Sequence, residues 1–375
     1  MPKVSVIIPT YNRAHTIAKA INSVLNQTFK DFELIVVDDG STDDTKSIIG
    51  VFEDSRIRYA WQENQERSAA RNTGLRLSQG KYISFLDSDD EYLSEKLHRQ
   101  VSTLDNNPSA DLVMSGWYDV DSNGNIIFTH SPWVNHSDPF YSLNDWLLSP
   151  PVNLPACLIR KNIIDKSGGF DTEFNVAEDV DFLFRLINSG CNTLWAKSHV
   201  LKYYKDYPDI NSANNNYKKL IGKVFSDPEI IKTIEVQKSE CLALVNVTSA
   251  YHSFLKGDTN QAREYLTIAI EIDPNILDQK NLRLLNMVTS GVWHPSVKEP
   301  VTMIENFYGH LPDQLAWMKK YRKSSLAQAW LSIAFREYRQ HNSKDVLHAC
   351  YMSIVYDHKL IKNRGLISIF LRSVI

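Results

Sequence analysis

Three short apolar runs near the N-terminus each stop dead in polar or acidic residues, and this pattern constrains the fold more than any other feature of the chain. Val4, Ser5, Val6, Ile7 and Ile8 run into Pro9, Thr10, Tyr11 and Asn12; FELIVV at 32–37 runs into Asp38, Asp39 and Gly40; residues 82–86 run into Asp87, Ser88, Asp89 and Asp90. Runs of this length, rich in β-branched and aromatic residues, predict buried strands. Helical periodicity fills the gaps at 16–27, 45–52 and 69–78, with a further short strand at 56–60. Strands alternating with helices and delivering polar groups at their C-terminal ends predict a doubly wound, nucleotide-binding α/β half-domain.

Asp87, Asp89 and Asp90 would repel one another unless a cation or a helix N-terminus lay close. An Asp-x-Asp spacing lets two carboxylates approach one hard divalent ion and leaves positions for phosphate oxygens. An acidic turn capping a helix near Tyr92, with Asp89 or Asp90 as N-cap and Ser94 or Glu95 in its first turn, fits the same residues equally well. Neither a P-loop nor a G-x-G-x-x-G fingerprint is present, so phosphates are expected to meet a metal rather than a backbone cradle.

At 375 residues, 43% of them hydrophobic, the chain is long enough for a full α/β core and a second unit. Lys and Arg total 41 against 44 Asp and Glu, which leaves no basic field to attract nucleic acid. Cys157, Cys191, Cys241 and Cys350 lack metal-ligand spacing, which predicts a reducing compartment and no structural zinc. Met1 leads almost directly into a strand, and no apolar run approaches the roughly 20 residues of a membrane span, so a cytoplasmic protein without a signal peptide is expected. The stretch 365–375 is too short and carries Arg372; it predicts a packed helix.

VSVIIPTYNR at 4–13, VVDDGSTDDT at 36–45, ARNTGL at 70–75 and FLDSDD at 85–90 together resemble the nucleotide-sugar-binding half of a family 2 glycosyltransferase of GT-A fold. The resemblance implies a Rossmann-like, mixed but mostly parallel sheet with flanking helices over residues 1–215, with 1–110 binding the nucleotide sugar and 111–215 forming the acceptor side. It implies that Thr10, Tyr11 and Asp39 hold the base and that Arg71 approaches the diphosphate or base. Asp87 and Asp89 become the DxD pair, with Asp89 the principal ligand of Mn²⁺ or Mg²⁺ and Asp87 near the ribose and metal. Structural readings stand beside these: Thr10 ends a strand, Asp43 caps a helix, Asn72 satisfies a loop. Tyr11 offers a ring face to a base and Asp39 accepts from a ring N–H, which favours uracil or thymine.

Residues 111–120 predict a strand, and Asp121, Ser122, Asn123 and Gly124 a hairpin turn into 125–129. The stretch 131–155 carries Trp133, Phe140, Tyr141 and Trp146 among prolines; sugar stacking and core packing explain it equally. Gly168, Gly169, Phe170 and Asp171, followed by a helix opening at Glu178 and Asp179, resemble the acceptor-site signature of the same family, in which Asp179 is the catalytic base. From the residues alone, a carboxylate at the positive end of a helix is the simpler reading. Glu178 is expected to orient the acceptor or to hold the Gly168–Gly169 turn. Segment 201–212 resembles the closing segment of the family, with Tyr207, near Lys205, where a His is common.

The implied reaction is a metal-dependent, inverting hexosyl transfer from a UDP- or dTDP-sugar to a glycan or lipid-linked acceptor, as in polysaccharide biosynthesis. One base suffices for a single displacement. A nucleotidyltransferase would carry a Gly-rich basic loop after the first strand, and PTYNRAHT is neither; a non-catalytic carbohydrate- or protein-binding module is the third class.

Beyond Asn216 the periodicity is helical only. Residues 257–274 align with 341–358, each preceded by a helical stretch, at 243–255 and 327–339, a helical repeat offset by 84 residues. AREYLTIAIEIDPN resembles the second helix of a tetratricopeptide unit, which implies two such helix pairs within 216–375. Pro295, Pro300 and Pro312 in the unlike segment between them exclude a regular solenoid. Bracing of the fold is the favoured role for this region. A protein partner, self-association, or peripheral contact with the inner membrane face through aromatics and Lys319, Lys320, Arg322 and Lys323 are the alternatives.

Overall fold

The structure is a computed structural model that describes residues 1–134, 143–148, 153–174, 176–204, 209–278, 282–293, 297–339 and 342–374. Phe140, Tyr141, Lys205, Tyr207 and Pro295 lie outside the described residues. The chain divides into two units, Met1–Pro208 with Asn215–Val236, and Asp209–Asn214 with Gln237–Ile375.

In the first unit β1 (Val4–Thr10), α1 (Ile17–Leu25), β2 (Phe32–Asp38), α2 (Thr45–Ile49), β3 (Ile57–Trp61), α3 (Glu66–Leu77) and β4 (Tyr82–Phe85) follow in turn. These strands pair in parallel, in the order β3-β2-β1-β4, with Thr10 opposite Asp38 and Val4 opposite both Phe32 and Tyr82. Parallel register brings all their C-terminal ends to one edge of the sheet, where open α/β sheets bind ligands. β5 (Glu91–Tyr92), α4 (Lys96–Asn106), β6 (Leu112–Val120), β7 (Ile126–His130), α5 (Leu143–Leu148), β8 (Cys157–Arg160), α6 (Lys161–Ser167), α7 (Glu178–Asn188) and β9 (Thr193–Tyr204) complete it. β8 runs antiparallel between β4 and β6, and β9 parallel to β6, so the sheet is the expected mixed, Rossmann-like one with flanking helices. Helices α8 (Ile210–Val224) and α9 (Pro228–Ile231) follow.

β1 is buried along its whole length, and strand alternation divides it between two cores. Val4, Val6 and Ile8 pack with Ile17, Ala20, Ile21 and Val24 of α1, while Ile7 packs on the other face with Phe170, Phe182, Leu183 and Leu186. Trp146 joins that second core at 1% exposure, which settles its part of the aromatic loop as packing. α3 lies against β1 at Gly74, where a Cβ would come within 2.3 Å of Ile7 Cγ2, so only glycine permits this approach. The four cysteines are buried and free.

The second unit is all-helical among the described residues: α10 (Lys238–Lys256), α11 (Thr259–Ile272), α12 (Arg283–Gly291), α13 (Pro300–Gly309), α14 (Arg322–Arg339), α15 (Ser343–Tyr356) and α16 (Arg364–Val374), with short 3₁₀ turns between. The pairs α10–α11 and α14–α15 keep the offset of 84 residues at both helix starts. Each pair ends in an extended aspartate, Asp273 or Asp357. No helix among the described residues is long and apolar enough to cross a membrane.

Candidate active site

At the ends of β1 and β2, Thr10 and Asp39 are buried side by side, with the Thr10 carbonyl accepting from Asp39 N–H at 2.9 Å. Asp38 accepts from the Tyr59 hydroxyl (2.8 Å) and Ser41 N–H (2.9 Å). Asp39 Oδ1 accepts from Gln62 Nε2 (2.6 Å) and Gln65 N–H (3.1 Å). The Thr10 hydroxyl is buried with no hydrogen-bond partner among the described residues, and Tyr11 is half-exposed beyond it. Asn12, at φ +50°, locks the two loops together: its N–H donates to Ser41 Oγ and its Oδ1 accepts from Thr42 N–H.

At the end of β4 the carboxylates meet guanidinium groups instead. Arg71, on α3, is 3% exposed and bridges two of them, donating from Nη2 to Asp87 Oδ1 and from Nη1 to Glu178 Oε1, each at 2.7 Å. Burial works against its charge, but Asp87 and Glu178 more than offset this and raise its pKa. Arg13 approaches Asp89 Oδ2 at 3.4 Å, and burial and the neighbouring Asp87 raise the Asp89 pKa against the pull of Arg13. Neither Arg13 nor its pairing was anticipated, although Arg13 closes the first motif of the chain.

Asp90 corrects the capping expectation. It is 1% exposed, its Oδ1 accepts from Tyr204 N–H at 2.8 Å, and its Oδ2 is buried without a partner among the described residues. The residues after it form β5, antiparallel to β9, and α4 starts only at Lys96, with no side-chain hydrogen bond at its N-cap Glu95. Pairing with a distant strand has displaced the local turn. Burial, Asp87 and Asp89 raise the Asp90 pKa well above the usual carboxylate range.

Glu178 and Asp179 open α7 after Ala177, a buried non-glycine residue at φ +64°. That left-handed residue turns the chain sharply into the helix. Asn72, rather than Glu178, holds the preceding turn: its Oδ1 accepts from Phe170 N–H (2.7 Å) and its Nδ2 donates to Phe170 O (2.8 Å). Asp179 is partly buried, and burial and then Glu178 push its pKa up to about 6 against the pull of Arg71. Asp181 is spent structurally, on Arg185 (2.8 Å) and Lys223 (3.2 Å). Two tyrosines were missed. Burial and the carboxylates of Asp90, Asp87, Asp179 and Asp89 raise the Tyr203 pKa, and burial with Asp179 and Glu178 raises that of Tyr217. Nothing in the sequence marks either one, because their neighbours come from distant segments.

The structure thus brings together Arg71, Asp87 and Glu178 by direct contact, with Asp179 and Asp89 in the same field, and sets Thr10 and Asp39 at the adjoining strand ends. Among the described residues no three His, Cys, Asp or Glu side chains form a complete metal cage. Asp87 and Asp89 are each about one-third exposed, with side-chain accessibilities of 33% and 30%, so they fit a hard ion completed by phosphate oxygens and water.

Residues 5–168 match the sequence profile described as Glycosyl transferase family 2. A Campylobacter jejuni GalNAc(5)-diNAcBac-PP-undecaprenol beta-1,3-glucosyltransferase is 31% identical over 255 residues, 60% of this chain and 81% of that protein. The chain spans only 15–18% of the length of the first curated relatives it matches. S. aureus TarS 1-349, solved with UDP-GlcNAc, shares the fold at a TM-score of 0.52 and 19% identity, covering 89% of this chain and 92% of that one. A mannosyltransferase from Pyrobaculum calidifontis, PcManGT, solved with GDP-Man and Mn²⁺, does so at 0.51 and 16%, covering 85% and 87%. The shared profile, the mixed sheet and the match along most of the Campylobacter protein establish that this chain belongs to glycosyl transferase family 2.

Proposed function

We propose that the chain is an inverting glycosyltransferase that moves a sugar from a UDP- or dTDP-linked donor to a hydroxyl of a glycan or lipid-linked acceptor. The observation that carries this reading is the buried Arg71 bridge, which fixes α7 and its Asp179 beside the acidic end of β4. Residues 1–110 would bind the donor and 111–215 the acceptor, with the helical region bracing the fold. The UDP-GlcNAc and GDP-Man of the two structural relatives support a nucleotide-sugar donor without choosing its base, and the lipid-linked acceptor in the name of the Campylobacter enzyme supports the acceptor class.

The Asp179 carboxylate takes the proton of the acceptor hydroxyl. The acceptor oxygen then bonds to the anomeric carbon from the face opposite the diphosphate, as the bond from that carbon to the phosphate oxygen breaks and the nucleoside diphosphate leaves with the electron pair. Glu178, held by Arg71, keeps the start of α7 in place and raises the basicity of Asp179. Asp87 and Asp89 would hold Mn²⁺ or Mg²⁺, which supplies Lewis-acid stabilisation of the departing diphosphate when bound. Gln62 and Gln65 both donate to Asp39 Oδ1, so Oδ2 remains the acceptor for a ring N–H of uracil or thymine.

The test is Asp179→Asn, with transfer and donor affinity scored separately against UDP-, dTDP- and GDP-sugars with and without Mn²⁺. Transfer falls by about 10² to 10⁴ fold while Mn²⁺-dependent nucleotide affinity is retained. Near wild-type transfer, or equal loss of donor binding, overturns the assignment of the base; tightest binding of GDP overturns that of the base pocket.

A further inference from the structure

We propose that α16 is a membrane-surface helix that docks on anionic phospholipid. The helix is apolar on two sides. Leu366 and Ile369 pack into the core formed with Leu331, Ala334, Val346 and Cys350. Ile367, Phe370 and Leu371, at i, i+3 and i+4, form a second stripe that faces solvent at 41–54% exposure. Val355 on α15 and Ile361 before α16 are also exposed, at 56% and 59%. A helix of a water-facing bundle ordinarily presents polar residues on its outer side.

The charge around this stripe selects the occupant. Lys359, Lys362, Arg364 and Arg372 flank it, no Asp or Glu occurs from His358 onward, and none of the four cations makes an ion pair among the described residues. A second copy placed on the same face by two-fold symmetry would set like charge against like charge. An anionic bilayer instead complements all four cations while its acyl boundary receives the apolar stripe, the arrangement of interfacial amphipathic helices. The inference needs no turnover and therefore stands or falls apart from the transfer reaction.

The experiment is co-sedimentation of the full chain with vesicles of phosphatidylglycerol and phosphatidylcholine, against phosphatidylcholine alone, at low and high salt. Binding is expected only with phosphatidylglycerol and weakens with salt. Each Lys or Arg replaced by Gln among the four lowers the partition coefficient by about fivefold. Phe370→Ser with Leu371→Ser abolishes binding, and because both side chains are exposed the circular dichroism melt stays unchanged. Equal binding to neutral vesicles, no binding to either, or full retention by the fourfold Gln variant overturns the proposal. So does a concentration-dependent rise in mass without lipid that the double Ser variant removes, which would make the stripe a contact between copies.

Discussion

The acidic ends of β2 and β4 lie on the same edge of one sheet, two strands apart, yet they are completed in opposite ways. Asp38 and Asp39 are surrounded by neutral donors, a tyrosine hydroxyl, a glutamine amide and backbone N–H groups, and their hydrogen bonds are made within the protein. Asp87, Asp89 and Asp90 share two guanidinium groups and one backbone N–H, and one oxygen of Asp90 has no partner among the described residues. The first end is fixed in place by neutral hydrogen bonds. The second is electrostatically incomplete, and the raised pKa values of Asp89 and Asp90 record burial first and then the crowding of like charges. Identical residues at equivalent places in a fold therefore meet neutral donors in one case and guanidinium groups in the other, and the recognition and cation-holding roles proposed above follow that difference.

Breaking the β4 end should have the largest effect on chemistry and almost none on stability. Asp89→Ala lowers turnover by about a thousandfold and removes Mn²⁺-dependent binding of UDP in calorimetry. Its melting temperature without metal stays level or rises. The sign follows from linkage: a carboxyl whose pKa is raised by folding opposes the folded state once it ionises, and that opposition fades as pH falls from the raised folded value to the ordinary carboxylate value. Retained Mn²⁺-dependent affinity, or a large fall in melting temperature, would erase the contrast.

A pH profile sharpens the comparison by asking which carboxylate does the chemistry. Asp179 must be ionised to act, and its pKa is pushed up to about 6, so kcat/KM should rise about tenfold per pH unit below about 6 and level off above it. In Asp179→Asn that acidic limb disappears from the residual activity. A limb that survives the substitution belongs to another group.

Damage to the β2 end should reverse the pattern. Asp38→Ala leaves the Tyr59 hydroxyl and Ser41 N–H without their acceptor and costs about 1–3 kcal/mol of stability, measured by urea unfolding. Turnover per folded molecule changes little by comparison. If Asp38→Ala is stable but inactive, the two ends do not divide the work as described.

The strands and their polar ends could be read directly from the sequence, because apolar runs and the turns that stop them are local signals. The helix pairs of the second unit were also open to reading, since both helix starts recur at an offset of 84 residues. What escaped was non-local. The position of Asp90 depends on pairing between Glu91–Tyr92 and Lys202–Leu201, so a local capping rule placed it wrongly. Lys96, which no local signal marks, is 1% exposed at the start of α4, held by Ser84 Oγ, Gln100 Oε1 and the Cys157 carbonyl, with burial pulling its pKa down to about 7. The contact of Arg71 with Glu178, 107 residues away, has no signature in either segment.

That contact also bears on how such enzymes can diversify. The profile shared with the family ends at residue 168, before Glu178, so the stretch carrying α3 and β4 could be supposed free to recombine with any following segment. The guanidinium buried between Asp87 and Glu178 opposes this. A grafted segment without a carboxylate at that place would leave the buried guanidinium with Asp87 as its remaining partner of the bridge, a loss of about 1–3 kcal/mol. Exchange of parts between relatives is therefore confined to junctions that carry both ends of the bridge together, and substitutions at positions 71 and 178 should be inherited as a pair.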